Sequence, residues 1–122
     1  MTVELANYDA RKSYNGGLEG KYRRETTPVG QFEVANAFGL SDMHGNVFEW
    51  CQDKYHSSYE GAPTDGSAWG VGGEGKYAVL RGGSWSYDPR YCRSASRYVD
   101  QPVYRFIYFG FRVVSLAPRA LQ

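Results

Sequence analysis

The chain lacks an excess of charge of either sign: 14 Lys and Arg stand against 13 Asp and Glu, a formal net charge of +1. That balance argues against a nucleic-acid partner gripped through a broad basic field. No apolar run approaches the roughly 20 residues that a membrane-crossing helix needs, so no membrane span is expected. Met1 to Ala10 has no basic end followed by an apolar stretch, so no secretory signal is expected and the cytoplasm is the expected location. Cysteine is scarce. Cys51 and Cys92 are the two in the chain, too few for a disulfide-built miniprotein. One bridge between them stands against the plainer reading of two buried free thiols. Histidine is scarcer than a histidine-built metal centre requires, with His44 and His56 alone. Regular helix signals are missing too: no window of ten or more residues carries an apolar stripe at helical spacing.

What the chain has in quantity is glycine and tyrosine, 15 and 11 of 122 residues. Glycine is well above its usual share of roughly 7%, which points to many turns and much irregular backbone. Hydrophobic residues at 42% and charged residues at 22% describe a chain that folds, of a size suited to one domain. Residues 1–30 are polar and rich in turns (Asn15-Gly16-Gly17, Thr27-Pro28) and read as a loop-like lead-in with little core. Residues 31–116 then hold the body of the domain. Gln31–Val34 reads as a short strand, and Gly45-Asn46 as a tight turn. Val47–Cys51 alternates, with Phe48 and Trp50 on one face. Ser57–Gly75 is a polar, glycine-rich exposed loop. Lys76–Arg81 reads as a buried strand, Arg93–Arg97 as a weaker one and Gly110–Leu116 as a terminal one. Long ordered loops need anchors for their backbone. Arg81, Arg93, Arg97, Arg105 and Arg112, each with five donors in a planar fork, are the expected ones.

Three segments together carry a family resemblance. They are Asn36-Ala-Phe-Gly-Leu-Ser-Asp-Met-His-Gly-Asn-Val-Phe-Glu-Trp-Cys51, Val79-Leu-Arg-Gly-Gly-Ser-Trp85, and Cys92-Arg-Ser-Ala95 with Arg97, Pro102, Arg105 and Gly110-Phe-Arg-Val-Val114. In this order and spacing they resemble the C-terminal part of the formylglycine-generating-enzyme (sulfatase-modifying factor) domain, over roughly Asn7 to Val114. The resemblance implies an α+β, C-type-lectin-like fold of short strands and long ordered loops with little helix. It also implies a pair of copper-binding cysteines five residues apart. Cys92 matches the second, but Tyr87 stands at the first. A phenol does not replace a soft thiolate on Cu(I), so no copper and no formylglycine generation by that mechanism are expected. Nor do the two histidines supply the His-rich site of the family's iron-dependent sulfoxide synthases. The sugar-reading triplets of calcium-dependent lectins, Glu-Pro-Asn and Gln-Pro-Asp, are absent. Carried over from the family, a structural Ca²⁺ would sit on Asp42, Gly45, Val47 and Glu49, with the two carboxylates and two carbonyls that a hard cation prefers. The alternative is that Asp42 and Glu49 pair with the structural arginines.

A second layer lies within residues 81–114. With Pro89, Cys92, Arg93, Ser94, Ala95, Arg97, Pro102 and Arg105 assigned to the scaffold, sixteen positions remain between Ser86 and Phe109, and seven of them are Tyr or Phe. Antibody loops share a bias to Tyr and Ser with Arg, because Tyr offers wide contact at low entropic cost. The stretch also resembles the variable region of diversity-generating-retroelement proteins, in which adenines of AAC template codons are randomised to give NNC codons. All sixteen residues but Gln101 are reachable from such codons, and none is Lys, Glu, Met or Trp. The expected role is a non-catalytic ligand-binding domain that takes a protein or other macromolecule, with homo-oligomers also open. Its binding residues would be Tyr87, Asp88, Arg90, Tyr91, Tyr98, Asp100, Tyr104, Phe106 and Tyr108. Ile107 and Phe109 are expected to turn inward. The alternative is an enzyme of the formylglycine-generating family with an altered site or completed by another chain.

Overall fold

A computed structural model describes residues 1–115. Four short strands form one sheet: β1 (Phe48–Lys54), β2 (Ala78–Arg81), β3 (Tyr98–Asp100) and β4 (Phe109–Gly110), in the spatial order β3-β2-β1-β4. β1 and β2 are antiparallel, with Trp50 opposite Leu80, and their register shifts between Trp50 and Lys54. β3 continues antiparallel on β2 with Tyr98 opposite Leu80, while β4 lies parallel to β1 with Phe48 opposite Phe109. A 3-10 turn, Pro89–Cys92, is the one helical element among the described residues. The helical part of an α+β fold is therefore not seen within 1–115, and long loops take its place.

β1 forms where the alternation predicts it and runs three residues further, to Lys54. β2 keeps the apolar end of its predicted span: Val79 and Leu80 are buried, and Tyr77 lies outside the strand. The loop between them is exposed over most of its length, as expected, and closes at its neck where Tyr55 N–H donates to the Tyr77 carbonyl at 3.0 Å. Three expectations fail. Gln31–Val34 is a turn, and the nearby Ala35–Ser41 bridge is isolated. Arg93–Arg97 is a bend, with strand structure starting only at Tyr98. The terminal strand is two residues, Phe109–Gly110; Leu116 lies outside the described residues.

The lead-in is also corrected. Ala6, Tyr8 and Ala10 are at most 3% exposed and pack with Cys92 in a buried cluster, so the first residues supply core rather than cover. They are held by the Gly45-Asn46 turn, where both residues take a left-handed backbone (φ 88° and 63°). A Cβ at Gly45 would run into the Asn7 carbonyl, which accepts from Asn46 N–H at 2.7 Å. The Asn46 side chain binds Thr27 from both its ends, accepting from the backbone N–H at 2.9 Å and donating to the carbonyl at 3.1 Å. Asn7 Nδ2 donates to the Glu25 carbonyl at 2.8 Å. Buried backbone without a sheet partner is thus satisfied by asparagine side chains.

Candidate binding face

Six of the nine expected binding residues are aromatic, and the fold brings all six together. Tyr87 follows the Gly82-Gly83 turn that ends β2. Gly83 is left-handed (φ 75°), and a Cβ there would collide with Cys92 Sγ, so this glycine lets the 3-10 turn fold back on β2. Tyr87 is the hub: its ring lies 4.9 Å from Phe48, 5.4 Å from Tyr91, 5.7 Å from Tyr98 and 5.5 Å from Tyr108, centroid to centroid. Tyr108 stacks on Phe106 at 5.2 Å and 3°, and Phe106 meets Tyr104 at 6.2 Å. Edge-to-face and offset contacts at these spacings are the favoured aromatic geometries. Phe48 and Phe109 form the floor beneath them. Tyr91, Tyr104 and Phe106 are 45–48% exposed, and Tyr87, Tyr98 and Tyr108 are half-buried. Phe109 turns inward as expected; Ile107 does not, and is 78% exposed.

The polar members behave differently. Asp88 caps the 3-10 turn: its carboxylate accepts from Arg90 N–H at 2.9 Å and from the Arg90 guanidinium at 3.0 Å on both oxygens. The Arg90 hydrogen bonds hold the Asp88 carboxyl below the usual carboxylate range. Asp100 closes its own turn, accepting from Gln101 N–H at 2.8 Å. Burial, with the neighbouring Tyr98 and Tyr108 hydroxyls, pushes the Tyr87 phenol well above its ordinary pKa; its hydroxyl donates to Tyr98 Oη at 3.4 Å.

At the positions of the family's copper pair stand Tyr87, a phenol, and the buried Cys92. Cys92 is 1% exposed, and burial pushes its thiol up to about 12. Both cysteines are free, Cys51 half-buried and Cys92 buried, so the bridge between them is not formed. His44 is spent on structure, its Nδ1 2.7 Å from the Cys92 carbonyl. His56 stacks on Trp69 at 3.5 Å.

Of the residues named for Ca²⁺, Glu49 is fully committed and Asp42 partly so. Both Glu49 carboxylate oxygens accept from Arg112, at 3.0 and 2.7 Å, and Arg112 also reaches the Ser41 carbonyl at 3.0 Å. Asp42 Oδ2 accepts from Gly30 N–H at 2.7 Å, and Gly45 N–H donates to the Gly82 carbonyl. A guanidinium already occupies the charge that a cation would need, so the donor set does not fit Ca²⁺ in this arrangement.

Of the five expected anchors, three hold loops. Arg81 donates to the Ser94 and Ser96 carbonyls, Arg97 to the His56 carbonyl at 2.7 Å while lying over Tyr59, and Arg112 as above. Arg93 and Arg105 are corrected: both are exposed. Arg93 reaches only the Arg90 carbonyl three residues away, and Arg105 makes no hydrogen bond among the described residues. A cavity of about 610 Å³ is lined by Leu5, Val34, Leu40, Met43, Pro89 and Cys92 among others, and by none of the six aromatics. The six aromatics form a surface over the floor of Phe48 and Phe109, with Tyr91, Tyr104 and Phe106 nearly half exposed.

Residues 4–117 match the sulfatase-modifying factor enzyme 1-like domain. The chain is 39% identical over 92 residues to serine/threonine-protein kinase pkn1 of Chlamydia caviae, covering 75% of this chain and 15% of that protein. The fold is similar to PvdO from Pseudomonas aeruginosa, with a TM-score of 0.70, 36% identity and coverage of 90% of this chain and 39% of that one. It is similar also to Treponema denticola variable protein 1, with a TM-score of 0.61, 29% identity and coverage of 88% and 34%. The chain thus spans well under half the length of each of these proteins. With most of its length matched, the chain belongs to the sulfatase-modifying factor enzyme 1-like domain family.

Proposed function

We propose that this chain is a non-catalytic ligand-binding domain, a variable protein of a diversity-generating retroelement built on a C-type-lectin-like scaffold and working in the cytoplasm. The observation that carries the reading is the convergence of Tyr87, Tyr91, Tyr98, Tyr104, Phe106 and Tyr108, at positions reachable from NNC codons, into one continuous surface with its outer members near half exposed. A contiguous exposed aromatic patch on a small domain marks an interaction site, and Tyr-rich faces bind protein surfaces through large rigid contacts. The likeness to Treponema denticola variable protein 1 supports the same reading. The rival, an enzyme of the formylglycine-generating family, draws support from the family itself. Against it stand Tyr87 in place of a cysteine and a Cys92 thiol held protonated by burial. The cation position is read as filled by Arg112. The test is the coding locus. A reverse transcriptase nearby and a near-copy of the 3′ coding end, differing at adenines in the codons for the face, support the reading. A locus with neither refutes it.

A further inference from the structure

Beside the aromatic face lies a polar cleft of about 500 Å³, lined by Lys12, Ser13, Tyr14, Asn15, Asp88 and Arg90. It joins the face directly, because Asp88 and Arg90 flank Tyr87 and Tyr91 in the chain, and Asp9 N–H of the lead-in donates to the Tyr87 carbonyl at 3.0 Å. The charges around it do not cancel. Asp88 is committed to Arg90 through both carboxylate oxygens, and Asp9 to Arg11 in the same way at 2.9 and 2.7 Å. Those are two closed pairs. Lys12 is the fifth charge. It is exposed and has no carboxylate within salt-bridge distance among the described residues, and its field reaches both aspartates. Elsewhere in residues 86–109, Arg105 is exposed with no hydrogen bond among the described residues, and Arg93, on the other cavity, spends only its Nε. At the cleft both nearby carboxylates, Asp9 and Asp88, are paired with guanidiniums, while Lys12 keeps an unpaired charge; Asp100, further along the face, accepts only from Gln101 N–H among the described residues. A balanced chain thus places one uncompensated positive charge, Lys12, in the cleft beside its binding face.

We infer that the partner of the aromatic face is a protein surface with acidic side chains next to apolar or aromatic ones, and that one of its carboxylates seats in the cleft between Lys12 and Arg90. This rests on the binding-face reading above and adds the partner's chemistry. The aromatic rings would take the apolar part of the epitope. Lys12 would supply the charge that selects acidic over basic partners, since charge complementarity sets specificity and encounter rate more than raw affinity. Tyr14 and Asn15 supply neutral hydrogen-bonding groups for a carboxylate already held by charge.

Two immobilised random copolymers serve as probes, glutamate–tyrosine and lysine–tyrosine, with binding followed by biolayer interferometry. The chain is expected to bind the glutamate–tyrosine polymer and not the lysine–tyrosine one, and to bind more weakly as salt rises from about 50 to about 500 mM. Lys12→Glu is expected to weaken that binding at least about fivefold with its melting temperature unchanged. Tyr91→Ser with Tyr108→Ser is expected to weaken it as well. Binding that Lys12→Glu leaves untouched but the double tyrosine variant abolishes overturns the acidic-partner proposal and keeps the binding face. Binding insensitive to the tyrosines counts against both. Preference for the lysine polymer, or binding to neither, overturns the proposal.

Discussion

Tyr87 decides whether the aromatic surface is one supported unit or six separate side chains. Tyr87→Phe keeps the ring contacts to Phe48, Tyr91, Tyr98 and Tyr108 at 4.9–5.7 Å and deletes only the hydroxyl. The lost hydrogen bond is long, 3.4 Å, so the expected cost is about 0.5–1 kcal/mol. Tyr87→Ala deletes the ring too. A fully buried aromatic costs about 3–5 kcal/mol on truncation; this one is half-buried, and about 2–4 kcal/mol is expected, or a fall in Tm of roughly 8–16 °C. By contrast Tyr104→Ser and Phe106→Ser, nearly half exposed, should each cost less than about 1 kcal/mol. The phenol adds a pH signature. Its pKa is raised in the fold by burial and by the Tyr98 and Tyr108 hydroxyls. The neutral form is thus the one the fold stabilises, so this contribution is complete below the ordinary phenol value of about 10. It is lost as pH rises beyond that value towards the higher folded one. Thermal melts of the three forms across alkaline pH read both effects, and Tyr87→Phe should lack the alkaline loss that Tyr87 causes. Tyr87→Ala melting within about 0.5 kcal/mol of the parent would refute the hub.

The remaining expectations are more local. Arg97→Ala removes a charge-assisted bond to the His56 carbonyl and a stack over Tyr59, and should cost about 1.5–3 kcal/mol in chemical denaturation, whereas exposed Arg93→Ala should stay within about 0.5 kcal/mol. Melting in chelator and in millimolar Ca²⁺ should coincide, because Arg112 holds Glu49; Arg112→Ala should lower stability in both, and a Ca²⁺-dependent rise in the parent would contradict the arginine-filled position. A thiol reagent should label Cys51 in the native state and leave Cys92 until unfolding, since burial pushes both thiols up but only Cys92 is fully enclosed.

How far the sequence could be read follows the range of each interaction. β1 and β2 were legible because Phe48, Trp50, Val79 and Leu80 carry alternation or a short apolar run bounded by glycines. β3 was not, since three residues, Tyr98–Asp100, offer too few alternations to separate a strand from an aromatic loop. The lead-in's core was hidden because its period-2 positions, Ala6, Tyr8 and Ala10, carry two alanines and a tyrosine rather than large aliphatics. The six aromatics of the face were legible as a composition bias. Their common floor of Phe48 and Phe109 was not, because it depends on the parallel pairing of β4 with β1 across some sixty residues. The same distance hid the choice between Ca²⁺ and Arg112 at Glu49. Arg93 and Arg105 misled because a motif arginine beside apolar residues looks alike whether its fork meets a carbonyl or water.

The most direct measurement is deep sequencing of the 3′ end of this coding region across a population of the source organism's cells. Substitutions are expected to concentrate in the codons for Tyr87, Asp88, Arg90, Tyr91, Tyr98, Asp100, Tyr104, Phe106 and Tyr108 and to keep a C at the third base, while the codons for Phe48, Leu80, Gly83 and Cys92 stay constant. Variation spread evenly between these two sets, or none at the face, would contradict it.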